Sequence, residues 1–208
     1  MKWIVRTLFF LFGIFCMAFG IALIIKAGLG ASAWDTLFVA LSQTTGLTVG
    51  TCVFIVQGVL LFLNAALVRR PPEWLSLGTV FVNSVAIDVS LLVFLEHFAP
   101  SGLVSYVSLG IGIACMAAGV AVYVPSGFPK SQIDGLMLAL HARFRLGLGA
   151  SRIAGEVAAL GIALLLGGLI GIGTLVATML VGPLIQAFMP FGKKALARFE
   201  AIREANHS

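Results

Sequence analysis

Charge is scarce in this chain. Asp, Glu, Lys and Arg make up only 10% of its 208 residues, against about 25% in a soluble globular domain, whose surface must face water. Eight acidic and 13 basic side chains cannot coat a particle of this size, which excludes a soluble enzyme. The high apolar content excludes a disordered chain. Cysteine is nearly absent too. Cys16, Cys52 and Cys115 each lie in an apolar run without a CxxC spacing or a histidine partner, so they read as small buried hydrophobes rather than disulfide, metal or redox groups. Histidine is equally thin: His97 stands beside Glu96 in a loop and His141 among arginines, with no HExxH. No metal site is expected. No Walker loop, no GxGxxG between strand and helix and no ordered Ser, His and Asp occur, so neither a nucleotide cofactor nor any other cofactor is expected, and no enzymatic activity. The net charge of +5 is read as basic loops beside a bilayer, not as a nucleic-acid surface.

What is present is apolar length. The chain is 60% hydrophobic, with a mean hydropathy of +1.11. A helix needs about 20 apolar residues to cross a bilayer, and six stretches qualify: 7–25, 48–68, 74–95, 102–124, a fifth from Arg152 to Gly168, and a sixth from Gly173 to Pro190. Arg69-Arg70-Pro71-Pro72 ends the second, since basic residues anchor at the interface and proline stops a helix. The expected fold is all-α: one polytopic membrane bundle of about six spans over residues 1–208, with the lipid bilayer as its first partner. Residues 191–208 are expected as a basic cytoplasmic tail forming a short surface helix. Lys2 and Arg6 before the first apolar run resemble a signal peptide, but the run is too long, and it is read as an uncleaved span.

With an even number of spans and the N-terminus inside, the cytoplasmic segments hold every one of the 13 basic residues except Lys26. That asymmetry puts both termini in the cytoplasm.

The chain also repeats itself. Shifting it by 99 positions lays 13–42 on 112–141 without a gap, pairing Gly13 with Gly112, Cys16 with Cys115, Met17 with Met116, Gly20 with Gly119, Ser32 with Ser131 and Asp35 with Asp134. The same shift pairs Gly50 with Gly149 and Gln57 with Glu156. A slightly shorter one pairs Gly78-Thr79 with Gly173-Thr174. Repeats of about 7–95 and 102–190 thus hold three spans each. An odd number of crossings forces the second to enter from the opposite side, the inverted arrangement of many secondary transporters.

Each repeat carries a connector ending in Ser-x-x-Asp: Ser32 with Asp35, and Ser131 with Asp134. This is a capping-box spacing, and it predicts short helices over 33–43 and 132–144. Neither can span, so each lies at the interface or enters as a half-helix. Two helix N-termini, one from each side, suit an anionic or zwitterionic solute; the plain alternative is that each box only starts a surface helix.

Ionisable groups inside spans are costly, about 2.5–3.5 kcal/mol on insertion scales. Asp88, with Asn83 nearby and Ser84 one turn before it, is the deepest. It is expected to face the interior toward Thr178 and Gln186 of the last span, as a proton or cation site or as a hydrogen-bonded structural aspartate. Glu156 has Arg152 at i−4, which suits an intrahelical ion pair, and Gln57 is its repeat mate. The candidate solute or ion site is therefore Asp88, Ser32, Asp35, Ser131, Asp134, Gln57, Glu156 and Asn83.

The run from Gly20 to Asp35, followed by Leu41-Ser42 and by Thr45-Gly46 through Gly50-Thr51, resembles the YczE/YitT-type bacterial membrane proteins, as do the two Gly-Thr pairs. The resemblance extends over most of 7–190 and implies a prokaryotic plasma-membrane protein of five or six spans; it supplies no reaction. Pro129 and Lys130 depart from the Gly30 and Ala31 they align with. A small-solute transporter or channel is the leading functional expectation. The alternative is a non-transporting regulator or scaffold, a homo-oligomer or a protein's partner, docking through the basic tail or the Arg143–Arg152 face.

Overall fold

A computed structural model describes residues 2–205, all of whose regular structure is helical. The helices are α1 (Lys2–Ala27), α2 (Ala33–Thr45), α3 (Val49–Val68), α4 (Leu75–Val89), α5 (Leu103–Tyr123), α6 (Gln132–Phe144), α7 (Leu148–Leu165) and α8 (Ile172–Ala205). A π-helical turn, Ser90–Phe94, prolongs α4, and a 3-10 turn, Val124–Ser126, prolongs α5. With these extensions, α1, α3, α4, α5, α7 and α8 are long and apolar enough to cross a membrane. The chain is an integral membrane protein. At 13 residues each, α2 and α6 rise only about 20 Å and do not span.

Local chemistry sets the boundaries. Ser32, Thr48 and Ser131 cap α2, α3 and α6 through their hydroxyls. Arg69 ends α3 in a left-handed conformation, φ 56°, just ahead of Pro71 and Pro72. Two boundaries differ from the sequence expectation. Helix α7 starts at Leu148, one turn before Arg152, directly after Gly147, whose backbone is still extended at ψ 150°. The tail is no separate surface helix: α8 runs unbroken through Pro183 and Pro190, held down where Arg6 Nε donates to Glu200 Oε1 at 2.9 Å and Phe9 meets Phe199 edge-on. The last of the expected tail, 206–208, lies outside the described residues.

At the centre α1 and α5 run antiparallel in close contact, because glycine removes the side chains that would keep them apart. A Cβ on Gly13 would lie 2.9 Å from Gly119 O, and one on Gly20 would lie 2.6 Å from Gly112 O. Between these crossings Cys16 Sγ donates to Cys115 O at 3.4 Å. Around the pair, α4 packs on α1 and α8 on α5, while α2 packs on α7 and α3 on α6. Helix α3 also packs along α4, whereas α7 makes no comparable contact with α8.

This seam predicts a stability result. Gly20→Ala and Gly119→Ala should each lower the thermal midpoint of the purified protein, by roughly 1–3 kcal/mol of stability, since backbone rather than a flexible side chain blocks the added methyl. Gly58→Ala, where nothing lies within 4 Å, should be neutral or stabilising.

Candidate functional site

The α1–α5 pair forms one wall of a chamber of about 410 Å³, lined also by α2, α3, α4, α6, α7 and α8. That volume lies within the range of small-molecule sites, about 300–1,000 Å³. The wall contains residues from matching places in the two repeats: Met17 with Met116, Ser32 with Ser131, Asp35 with Asp134, Phe38 with Met137, and Gln57 with Glu156. Seven of the eight residues singled out from the sequence meet here, Asn83 being the seventh.

The two short helices begin at the chamber. In α2, Ser32 Oγ donates to Asp35 Oδ2 at 2.6 Å and accepts from the Asp35 N–H at 3.3 Å. In α6 the expected box is opened by α3. Ser131 Oγ donates to Gln57 Oε1 at 2.8 Å, and the Gln132 N–H donates to the same oxygen at 3.1 Å. Asp134 is released from capping and half-buried on the chamber wall. Asn64 Nδ2 fixes this arrangement by donating to both the backbone oxygen and Oε1 of Gln132, whose Nε2 donates to Ser76 Oγ. Glu156 accepts from Arg152 Nε at 3.1 Å.

Burial pushes the Asp35 carboxyl up to about 6, although the Ser32 hydroxyl pulls it down. Burial also raises Asp134, against the opposing pull of Arg152 and Lys130. Difference infrared spectra should therefore show a protonated-carboxyl band growing in as pH falls through about 6, well above the ordinary aspartate range. Asp35→Asn should remove that band; a carboxyl titrating only near 4 would contradict the burial argument.

Asp88 lies apart from the chamber. Its carboxylate accepts from Thr48 Oγ1 at 2.6 Å and from the Gly50 N–H at 2.7 Å, so it sits over the start of α3 rather than facing Thr178 and Gln186, which are exposed on α8. The N–H groups and dipole of a helix start attract a carboxylate more strongly than two neutral side chains do. Gly50 leaves the room: a Cβ there would lie 2.7 Å from Asp88 Oδ2.

Sequence reasoning passed over Trp34, Tyr123, Ser151 and Asn64. Asn64 carried a usable signal, since it follows Gln57 by seven residues and so falls on the same face of an otherwise apolar helix. The aromatic residues carried none, because membrane helices bear aromatics on every face.

Comparison with known proteins agrees with the membrane architecture. A family model described as a family of unknown function, DUF6198, matches residues 4–190. The chain is 35% identical over 186 residues to the uncharacterized protein YyaS of Bacillus subtilis (strain 168), covering 89% of this chain and 92% of that one. It is 29% identical over 192 residues to the uncharacterized membrane protein YczE of the same organism, covering 90% and 86%. An uncharacterized protein of Haemophilus influenzae is 28% identical over 181 residues, covering 86% of this chain and 81% of its own. No solved structure matches.

Proposed function

Because this chain belongs to the DUF6198 family of YczE-like membrane proteins, for which no activity is stated, we propose its function from its own chamber: it is a small-solute transporter of the bacterial plasma membrane. The carrying observation is one chamber, largely apolar with a few convergent polar groups, walled by matching residues of both repeats and entered by the starts of two non-spanning helices. Secondary transporters place their sites at such repeat interfaces. A scaffold would be packed solid at this position.

Inverted repeats are part of this reading. The contacts of Gly13 with Gly119 and of Gly20 with Gly112 exchange into each other when each residue is replaced by its repeat mate. So do the pairings of α2 with α7 and of α3 with α6. The antiparallel run of α1 and α5 is the relation an in-plane two-fold axis imposes.

The repeats differ in one respect that favours a transporter over an open channel. The start of α3 is clasped to the end of α4 through Asp88, while α7 stands away from α8. With both termini in the cytoplasm, as the basic residues indicate, the clasped seam closes the outer side and the separated seam opens inward. This is an inward-open state, and Asp88 acts as an outer clasp.

Thermal-shift screening of the purified protein against a broad metabolite panel tests the solute reading. Some solute class should raise the Tm of the wild type and fail to do so for Asp134→Asn. Absence of any stabilising solute would remove the transport reading.

A further inference from the structure

We propose that the solute carries a primary ammonium group, which it presents to the Asp35 and Asp134 carboxylates. This rests on the chamber being a solute site and names what the solute must bring. Two buried polar groups on its wall lack partners among the described residues: Asn83 Oδ1, on a residue 8% exposed, and Ser151 Oγ, on a residue fully buried. Buried polar atoms are almost always hydrogen-bonded, so the unpartnered acceptor on Asn83, a residue of the chamber lining, can take a donor from a ligand; Asn64 Oδ1 and Ser84 Oγ, outside that lining, are unpartnered as well. Asn83 Oδ1 is an acceptor, and it needs a donor.

Charge selects the donor. Asp35 is 5% exposed and accepts only from its own helix start. Asp134 is half-buried and receives no hydrogen bond from the described residues. The cations of the wall offset the burial of Asp134 only in part, and none offsets that of Asp35. Lys130 is exposed, and Arg152, at 53% side-chain exposure, is engaged by Glu156. At each helix start one N–H is already taken, by Ser32 Oγ and by Gln57 Oε1, which weakens the pull on an anion. A wholly anionic solute would meet two carboxylates with no free buried cation, whereas an ammonium ion supplies both charge and N–H donors. Trp34, Phe38 and Tyr123 add aromatic faces to the wall, which attract cations in desolvated sites. Arg152 and Lys130 leave room for a carboxylate at the chamber edge, so a zwitterion fits and a simple anion does not.

Three probes that share a 3-methylbutyl group separate the charges: L-leucine, 3-methylbutylammonium and 4-methylpentanoate. Thermal unfolding of the full chain in detergent should shift upward with the first two and stay unchanged with the third. The shift should vanish in Asp134→Asn and return in Asp134→Glu, with each variant's unliganded Tm reporting that it is folded. Equal or greater stabilisation by 4-methylpentanoate would overturn the ammonium assignment while keeping the solute site. So would a panel whose only stabilising solutes lack an amine. Stabilisation by nothing in either experiment would remove the site itself.

Discussion

Gln57→Leu is expected to cost the protein much of its stability, although it exchanges side chains of similar size. Gln57 is 3% exposed, and its one oxygen accepts from both the Ser131 hydroxyl and the Gln132 N–H. Leucine leaves both donors inside the bundle without the acceptor that Gln57 supplied. An orphaned buried group costs about 1–3 kcal/mol, so two amount to a large share of the roughly 5–15 kcal/mol that holds a fold together. The start of α6 should then leave the chamber. A lowered Tm and a poor yield of monodisperse protein would register it. Gln57→Glu keeps an acceptor beside a helix N-terminus and should recover most of the loss. A Leu variant as stable as the wild type would mean that α6 is held elsewhere.

Asp88→Ala should open the outer face. The substitution removes two hydrogen bonds to a carboxylate, each contributing about 1.5–3 kcal/mol. Even about 1.4 kcal/mol shifts an equilibrium tenfold, so labelling of a chamber thiol from outside should quicken about tenfold or more. Asp88→Asn retains an acceptor oxygen and should fall between. Unchanged outside labelling in both variants would deny Asp88 any role as a clasp.

The contrast between Asp88 and the connectors shows what the sequence could reveal. Ser32 and Asp35 act within four consecutive residues, so the spacing alone exposed their pairing. The 99-residue offset then carried that reading to Ser131 and Asp134, where Gln57 takes the serine hydroxyl instead, and it linked Gln57 to Glu156. The six apolar helices were legible because membrane thickness fixes their length. Asp88 answers to a helix start 38 residues away in sequence, and nothing local announces that the end of α4 meets the beginning of α3. The continuity of α8 through Pro190 is hidden for the same reason, since its far end is met by Arg6 and Phe9 of the distant α1. The difference between the α3–α4 and α7–α8 seams is a property of the conformation, which repeat matching cannot register.

The most direct test of the account is the sidedness of the chamber. Met137 lines it and is half-buried, so Met137→Cys, in a chain whose Cys16, Cys52 and Cys115 are replaced by serine or alanine, reports access without touching the polar groups. Its labelling by a membrane-impermeant thiol reagent can be followed in sealed right-side-out and inverted vesicles, with cysteines at Lys26 and Lys130 marking the two faces. The account predicts rapid labelling from the face that carries Lys130 and little from the face that carries Lys26. Labelling from neither face, equal labelling from both, or Lys26 and Lys130 on the same side would contradict it.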